Sequence, residues 1–143
     1  ERLGLKSIKA LQNDAKVYNE SFPKFDKILC DVPCSGTGVI RSKPEIKYAG
    51  LKKFEGLPKI QYDILSTAAK YLKVGGELVY STCTVLKEEN ELVIDKFLKE
   101  NKDFAGVSFL TDIGAPFGEY KVSIIAESFD CEGFFISKIR RIN

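Results

Sequence analysis

Two apolar runs, each leading into a cysteine, limit the fold of this chain most strongly. The first run, Phe25 to Asp31, is followed by Val-Pro-Cys-Ser-Gly-Thr-Gly, which contains Cys34. The second run, Glu77 to Cys83, ends in Ser-Thr-Cys-Thr. Short apolar runs separated by a helical pattern predict parallel strands of one sheet. Because the carboxyl ends of parallel strands form the edge where α/β sheets bind ligands, we expect both thiols at that edge.

The remaining elements follow from periodicity and turn residues. Pro58–Lys73 carries apolar residues on one face, and Gly75-Gly76 is expected to end that helix. Leu86–Asn101 repeats the pattern, with acidic residues in its first turns and lysines near its end. The shorter predicted strands are Ser7–Gln12, Val107–Leu110, Tyr120–Ile125 and Gly133–Ile139. The last two of these have no crossover helix between them and should form an antiparallel hairpin.

This order of elements predicts an α/β fold that resembles the back half of a Rossmann-like doubly wound domain. The sheet should be mostly parallel, with the antiparallel hairpin at its C-terminal end. A complete fold of this type begins with a strand, a Gly-rich turn, a helix and an acidic strand end, and none precedes Leu5. We therefore expect residues 1–143 to form a single partial domain whose cofactor-loop half lies upstream.

Composition excludes several classes of protein. The 143 residues are 44% hydrophobic and 29% charged, which is typical of a soluble globular domain. No apolar run reaches the roughly 18 residues of a membrane span, so we expect no membrane partner. A net charge of +2 predicts that any surface for nucleic acid is local.

The four cysteines lack the spacing of a disulfide scaffold, which favours a reduced, cytoplasmic setting. There is no histidine and no C-x-x-C pair, so the sequence predicts no metal site. Cys30 lies inside a predicted strand and should belong to the core, and Cys131 receives no role.

The segment from Asp31 to Cys34 has the strongest functional signal. Pro33 fixes the backbone just past the strand and holds Cys34 in place. The following Ser-Gly-Thr-Gly permits a tight turn with exposed amides, which can lower a thiol pKa or hold an anion. Asp31, at the strand end, can hydrogen-bond a ligand. The alternative is an ordinary turn that Asp31 starts and in which Cys34 has no role, but such a turn does not need so many special residues.

Cys83 is flanked by Ser81, Thr82 and Thr84. These hydroxyls and the start of the next helix can stabilise a thiolate. A cysteine at a strand end is often simply buried, so Cys83 taken alone is ambiguous. Its expected proximity to Cys34 favours a catalytic role.

Two further segments have open interpretations. Asp14 could accept a hydrogen bond from an adenine amino group, but an ordinary Asx turn is the simpler explanation of Asn13-Asp14. In the loop after the first strand, Arg41, Lys43 and Lys47 precede Tyr48, and basic residues beside an aromatic suit an RNA strand. A solvated loop is the alternative there.

Five motifs occur in order along the chain. They are Asp-Val-Pro-Cys-Ser-Gly-Thr-Gly from Asp31, Val-Ile-Arg-x-x-Pro-Glu-Ile-Lys from Val39, Gly-Gly-Glu-Leu-Val-Tyr-Ser-Thr-Cys-Thr from Gly75, Glu-Glu-Asn from Glu88 and Gly-Phe-Phe-Ile-Ser-Lys from Gly133. Together they resemble the Sun/RsmB group of RNA (cytosine-5) methyltransferases. The resemblance implies an S-adenosylmethionine-dependent methyltransferase fold, S-adenosylmethionine as the cofactor, and a cytosine of ribosomal RNA, expected in 16S rRNA, as the acceptor.

The resemblance also implies residue roles. Cys83 would be the nucleophile, and Cys34 would assist release of the enzyme from the methylated base. Asp31 would contact both the cofactor and the cytosine, Pro33 would lie at the cofactor, and Asp14 would contact its adenine. The loop after Cys34, with Arg41, Lys43 and Lys47, would bind the RNA.

The sequence departs from the family in several ways. The family's glycine-rich cofactor loop, ribose-binding acid, catalytic lysine and N-terminal RNA-binding region lie before the point where this chain starts. Glu132 stands where an aspartate is expected. We therefore expect a C-terminal catalytic part that alone binds the cofactor weakly or not at all and does not turn over, which calorimetry with the cofactor tests.

Three other interpretations stay open at this stage. In a DNA (cytosine-5) methyltransferase, the Pro-Cys cysteine, here Cys34, would be the nucleophile instead of Cys83. A non-catalytic RNA-binding domain derived from such an enzyme would bind RNA without methyl transfer. A thiol redox protein would use the same two cysteines, although the lack of a C-x-x-C pair argues against it.

Overall fold

The computed structural model describes residues 4, 6–50, 54–108, 119–125 and 131–143. Strands and helices alternate along the first part of the chain, and strands alone follow the second helix. The elements are β1 (Phe25–Asp31), α1 (Leu57–Lys70), β2 (Leu72–Thr82), α2 (Glu91–Glu100), β3 (Phe104–Gly106), β4 (Lys121–Ile124) and β5 (Phe134–Arg141), with short 3₁₀ turns at Thr37–Val39, Pro44–Tyr48 and Lys87–Glu89.

The strands form one sheet in the order β1-β2-β5-β3, and β4 also pairs with β5. The β1 and β2 strands are parallel, with Asp31 opposite Ser81 at their carboxyl ends. The β5 strand runs antiparallel to β2, β3 and β4. The α/β class and the antiparallel hairpin of β4 and β5 are confirmed. The antiparallel share is larger than predicted, because β5 is the partner of three strands among the described residues.

The predicted helix Pro58–Lys73 is α1, which ends earlier because β2 has already begun at Leu72. Leu72 is fully buried and pairs with Phe25. The two glycines that were expected to stop the helix lie inside β2 instead. Gly75 has a φ of 80°, which favours glycine, and a Cβ on Gly76 would lie 2.9 Å from a carbonyl oxygen of β1. They accommodate the irregular start of the β1–β2 pairing.

The predicted strand Ser7–Gln12 is wrong. These residues form no strand, and Ile8 and Leu11 are 67% and 57% exposed. Alternation of apolar and polar residues stabilises a strand only where a neighbouring strand pairs with it and one face is covered. Neither condition holds for this segment in the described part of the chain.

The predicted strand Val107–Leu110 also differs from the structure. The β3 strand lies just before it and ends at Gly106, where a Cβ would come within 2.3 Å of the Tyr120 ring. Leu110 lies outside the described residues. The predicted helix Leu86–Asn101 becomes a 3₁₀ turn followed by α2, because Asn90 between them has the non-helical angles φ −114° and ψ −100°.

The two helices pack against each other and against the sheet around one core. Cys30 belongs to this core as predicted, and its burial raises the pKa of the thiol to about 12. Leu29 was predicted to be buried with Cys30 but is 70% exposed. Successive side chains of a strand face opposite sides, so Leu29 faces away from the side that α1 covers. The fully buried apolar residues include Leu65, Leu72, Leu78, Ile94, Phe97, Phe135 and Ile139.

Candidate active site

The two strand-end cysteines meet as expected. The Sγ atoms of Cys34 and Cys83 lie 3.2 Å apart, although the residues are 49 positions apart in sequence. Both are free thiols and half-buried. The parallel pairing of β1 with β2 explains the approach, since it aligns the ends of the two strands and the segments that follow them.

Burial, followed by the hydrogen bond with Cys83, raises the pKa of the Cys34 thiol to about 11. The backbone amide of Gly36 acts in the opposite direction but is outweighed. This result corrects the expectation that the turn after Pro33 lowers the pKa of this thiol. Cys34 therefore keeps its proton at neutral pH and can donate it in a hydrogen bond to the Cys83 sulfur.

Asp31 lies at the same edge with its carboxylate exposed. Its Oδ1 accepts a hydrogen bond from Ser81 Oγ at 3.0 Å, across the β1–β2 pair. Pro33 is exposed, and its carbonyl accepts a hydrogen bond from Gln61 Nε2 at 2.9 Å. The structure thus brings an oriented carboxylate and two thiols to one edge of the sheet.

Two glycines bring the start of β5 against this edge. Gly38 N–H donates to the Cys83 carbonyl at 3.0 Å, and Gly133 N–H donates to the Gly38 carbonyl at 2.8 Å. A Cβ on Gly38 would lie 2.2 Å from the Gly133 carbonyl oxygen, so the backbones approach too closely for a side chain. The sequence signal was the Gly-x-Gly after Pro-Cys, which predicted a tight turn but not this contact.

The hydroxyls beside Cys83 were expected to stabilise its thiolate, but they bond to other groups. Ser81 donates to Asp31, and Thr82 Oγ1 donates to Asn90 Oδ1 at 2.6 Å. Thr84 Oγ1 shares hydrogen bonds of 2.8 Å with two hydroxyls of the Cys34 loop, those of Ser35 and Thr37. The hydroxyls of Ser81 and Thr84 therefore connect the Cys83 segment to the residues around Cys34.

Glu89 was not among the predicted site residues, yet this glutamate is almost fully buried and contacts the Cys34 loop. Its Oε2 accepts hydrogen bonds from the Ser35 backbone amide at 2.9 Å and from Gln61 Nε2 at 2.7 Å. The next residue, Asn90, is also buried and contacts the residues on both sides of Cys83. Two signals in the sequence pointed to them, the acidic start of a predicted helix and the Glu-Glu-Asn motif of the family resemblance, but neither predicted burial.

A cavity of about 340 Å³ lies beside β1, and Asp31 is one of the residues that line it. The neighbours of Asp14 line it, but the Asp14 carboxylate accepts from the Lys16 amide at 3.0 Å in the Asx turn that was the simpler explanation. A mostly apolar lining that includes one acidic residue, Asp31, suits an adenosyl group. The lining residues are Asn13, Ala15, Phe22, Phe25, Ile28, Leu29, Cys30, Asp31, Ile64, Ala68 and Tyr71.

A second groove, of about 510 Å³, adjoins the Cys83 segment through Gly38 and carries two of the three predicted basic residues, Arg41 and Lys47. Lys43 is exposed outside this lining, and Tyr48, next to Lys47, is 88% exposed. The groove is lined by Thr37, Gly38, Ile40, Arg41, Pro44, Lys47, Val85, Ile125 and Gly133.

Cys131 is an exposed free thiol whose Sγ donates to the Glu132 carbonyl at 3.3 Å. In the part of the chain that the structure describes, no three histidine, cysteine or acidic side chains are grouped as metal ligands. The helices described there are all too short or too polar to cross a membrane.

Relatives with similar sequences are ribosomal RNA methyltransferases. The chain is 42% identical to the probable ribosomal RNA small subunit methyltransferase B of Bacillus subtilis and 36% identical to ribosomal RNA small subunit methyltransferase F of Vibrio cholerae, with 99% of the chain covered in each case. It spans about a third of the length of these relatives, 33% and 32%.

Two solved structures resemble this chain over nearly its whole length. The structure of NSun6 from Pyrococcus horikoshii with SFG, an analogue of S-adenosylmethionine, matches 99% of this chain and 36% of its own, with a TM-score of 0.84 and 34% identity. The PH0851 structure matches with a TM-score of 0.88 and 31% identity over 98% of this chain and 32% of its own. These matches confirm the Rossmann-like methyltransferase fold. The profile of the 16S rRNA methyltransferase RsmB/F family matches residues 1–140, and the chain therefore belongs to that family.

Proposed function

We propose that the intact gene product containing this chain transfers a methyl group from S-adenosylmethionine to C5 of a cytosine in 16S ribosomal RNA. The observation that carries the proposal is the 3.2 Å approach of Cys34 and Cys83 at the strand edge that also bears Asp31. Membership of the RsmB/F family supports ribosomal RNA as the substrate.

The chemistry explains why a thiol is required. C5 of cytosine is too weak a nucleophile to attack a methyl group unaided. When the Cys83 thiolate adds to C6, an S–C6 bond forms and C5 becomes an enamine-like carbon. S-adenosylmethionine, when bound, supplies an electrophilic methyl group for C5. Loss of the C5 proton and breakage of the S–C6 bond then restore the aromatic ring and return the electron pair to sulfur.

Cys34 is suited to assist the last of these events. Because it keeps its proton at neutral pH, its S–H group can donate a hydrogen bond to Cys83 Sγ at 3.2 Å. Negative charge returns to that sulfur as the S–C6 bond breaks, and a hydrogen bond aimed at the charge stabilises the departing thiolate. In this proposal Cys34 promotes release of the methylated base, and Cys83 is the nucleophile.

Asp31 contacts both the cytosine and the cofactor in this proposal. The Ser81 hydroxyl donates to its carboxylate, and Asp31 is one of the residues that line the apolar cavity beside β1. Pro33 borders the cofactor together with Asp31. Asp14 contacts the adenine, and its neighbours Asn13 and Ala15 line the same cavity.

RNA reaches the thiols along the groove that contains Arg41 and Lys47. Lys43 binds the RNA outside this groove. Cationic side chains neutralise phosphates, and the target base must leave its stack to meet Cys83. The hydrogen bond between Gly38 and the Cys83 carbonyl supports this path, because Gly38 also lines the groove.

The test uses the intact gene product and a 16S rRNA fragment with 5-fluorocytosine at the methylated position, since fluorine at C5 prevents release. The wild-type protein should form a covalent adduct, and Cys83→Ala should form none. Cys34→Ala should form an adduct that persists even with unmodified cytosine, whereas Cys131→Ala, the control, should behave as wild type. An adduct that survives Cys83→Ala but disappears in Cys34→Ala would reject this assignment in favour of the DNA-type arrangement.

A further inference from the structure

We propose that Glu89 and Asn90 act together as the positioning pair for the two thiols, with Glu89 fixing the Cys34 loop and Asn90 fixing the Cys83 segment. Both residues act on the thiols through the residues next to each cysteine, and neither takes part in the reaction itself. The inference rests on the proposed function for its catalytic meaning. Its structural content is that one dipeptide sets the relative placement of two cysteines that are 49 positions apart.

The two short hydrogen bonds of the Glu89 side chain lead to the Cys34 loop, and its other oxygen, Oε1, accepts a longer one from Thr84 Oγ1 at 3.4 Å. Its Oε2 accepts from the Ser35 amide, the peptide unit directly after Cys34, at 2.9 Å. The same oxygen accepts from Gln61 Nε2, which also donates to the carbonyl of Pro33, directly before Cys34, at 2.9 Å. Glu89 therefore holds the backbone on both sides of Cys34, once directly and once through Gln61.

The Asn90 contacts enclose Cys83 in the same way. Its Oδ1 accepts from Thr82 Oγ1 at 2.6 Å, and its Nδ2 donates to the Thr84 carbonyl at 2.9 Å. One amide side chain thus contacts the residue before and the residue after Cys83. Each hydrogen bond is buried, so losing either partner leaves a polar group without compensation.

The backbone links the two sets of contacts. Glu89 and Asn90 are consecutive, and each is only 1% exposed. The Glu89 carbonyl accepts from the Tyr80 hydroxyl at 2.6 Å, which fastens the dipeptide to β2. Asn90 also has the non-helical φ and ψ that separate the 3₁₀ turn from α2. A regular helix through these residues would not have this break. The backbone is therefore irregular at the dipeptide that contacts the Cys34 loop and the Cys83 segment.

Geometry, and not negative charge, is the contribution that we assign to Glu89. Its two described donors at short distance are amides, and Thr84 Oγ1 lies 3.4 Å from Oε1. Glutamine in its place keeps one oxygen for the two amide donors and turns its NH₂ toward the Thr84 hydroxyl, which can accept. Glu89→Gln should therefore preserve the thiol placement, and Glu89→Ala should not.

The experiment compares Glu89→Ala, Glu89→Gln, Asn90→Ala and the isosteric Thr82→Val in the intact gene product. Glu88→Ala, at the exposed neighbouring glutamate, is the matched control. The first measurement is alkylation by iodoacetamide at fixed pH, read peptide by peptide, with exposed Cys131 as internal reference. The second is kcat and KM for methyl transfer. Thermal melting of every variant identifies any that fails to fold.

We expect Glu89→Ala to change the alkylation rate of Cys34 more than that of Cys83, and Asn90→Ala and Thr82→Val to do the reverse. Since a misplacement of 1 Å costs on the order of 100-fold in rate, Glu89→Ala and Asn90→Ala should lower kcat by about that factor with little change in KM. Glu89→Gln should recover most of the lost kcat, and Glu88→Ala should match wild type.

Three outcomes would overturn the inference. Folded Glu89→Ala and Asn90→Ala proteins with wild-type alkylation rates at both cysteines would show that the pair does not position the thiols. A Glu89→Gln protein as impaired as Glu89→Ala would assign the effect to charge. If Glu89→Ala and Asn90→Ala do not fold, equal effects of Thr82→Val on the two cysteines would reject the division of roles. Alkylation needs no methyl transfer, so these results stand even if the 5-fluorocytosine test rejects the proposed function.

Discussion

The sulfur atoms of Cys34 and Cys83 lie 3.2 Å apart, just past the ends of two adjacent parallel strands. Such an approach suits a hydrogen bond between a thiol and a thiolate, which the proposed release step uses. It also places two oxidisable groups within reach of each other, in a site that is only half-buried. The same geometry therefore leads to a chemical prediction that does not depend on substrate.

We expect mild peroxide to join Cys34 and Cys83 in a disulfide. Peroxide oxidises one thiolate to a sulfenic acid, and the second thiol then displaces the hydroxyl group as water, so the chain loses two hydrogen atoms. Intact mass and peptide mapping measure this change, and dithiothreitol should reverse it. Cys34→Ser should abolish the crosslink, and Cys131→Ser, the control, should leave it unchanged. Absence of the crosslink in wild type, or its persistence in Cys34→Ser, would contradict the prediction.

The alkylation of Cys34 should depend steeply on pH. Iodoacetamide reacts with the thiolate, and burial together with the bond to Cys83 raises the pKa of Cys34 to about 11. The rate at Cys34 should thus keep rising with pH and reach half of its maximum near pH 11. Mass spectrometry of the Cys34 peptide over a pH series measures it. A rate that is half-maximal near pH 9.0, the ordinary thiol value, would show that burial does not hold the proton on this sulfur.

Cys30 should make folding stability depend on pH in the alkaline range. Burial first, and then the charge of Asp31, raises the pKa of this thiol from 9.0 to about 12 in the folded chain. A folded-state pKa above the unfolded value gives stability that is fully present below pH 9.0 and is lost as pH rises towards 12. The expected loss is about 1.4 kcal/mol in the free energy of unfolding per pH unit within that window.

Urea unfolding of wild type and Cys30→Ala between pH 8 and pH 11 isolates this contribution, because the other titrating groups are common to both. The two free energies should converge as pH rises. Parallel curves would show that Cys30 does not titrate differently in the folded and unfolded states.

Gly38→Ala should disturb the contact between Cys83 and β5. The added Cβ would lie 2.2 Å from the Gly133 carbonyl oxygen and 2.9 Å from the Cys83 carbonyl oxygen, and both are backbone atoms that move only with their strands. We expect a loss of about 1–3 kcal/mol in stability, as for other overpacked sites. Thermal or urea unfolding measures it. Gly50→Ala is the matched control, since nothing lies within 4 Å of its Cβ, and should be neutral or slightly stabilising.

The sequence predicted the parts of the site that depend on local pattern. The β1 strand was predicted at its observed bounds, Phe25–Asp31, and parallel pairing of two cysteine-ending strands correctly predicted that the thiols meet. The start of α2 and the segment before it looked like one amphipathic helix, because its glutamates have the spacing of a charged first turn. Burial of Glu89 could not be read from that pattern, since its donors come from residues 54 and 28 positions away.

The failed strand at Ser7–Gln12 shows a related limit. Its alternation satisfied the local rule, but a strand also needs a partner and a covered face, which are properties of the tertiary structure. The hydroxyls around Cys83 show the same point at the level of single contacts. They were correctly located beside the thiol, but tertiary partners such as Asn90 and Asp31 determine where they point.

RNA binding should depend more on Lys47 than on Lys43. Lys47 lines the groove beside the Gly38–Cys83 contact, and Lys43 is exposed outside that lining. In the intact gene product, Lys47→Ala should weaken binding to the 16S rRNA fragment at all sequences alike, and should reduce the slope of log affinity against log salt by about 1. Lys43→Ala, the matched control in the same loop, should have the smaller effect on both. Filter binding at several salt concentrations measures both quantities, and equal effects of the two substitutions would argue that RNA follows the outer surface of the loop and not the groove.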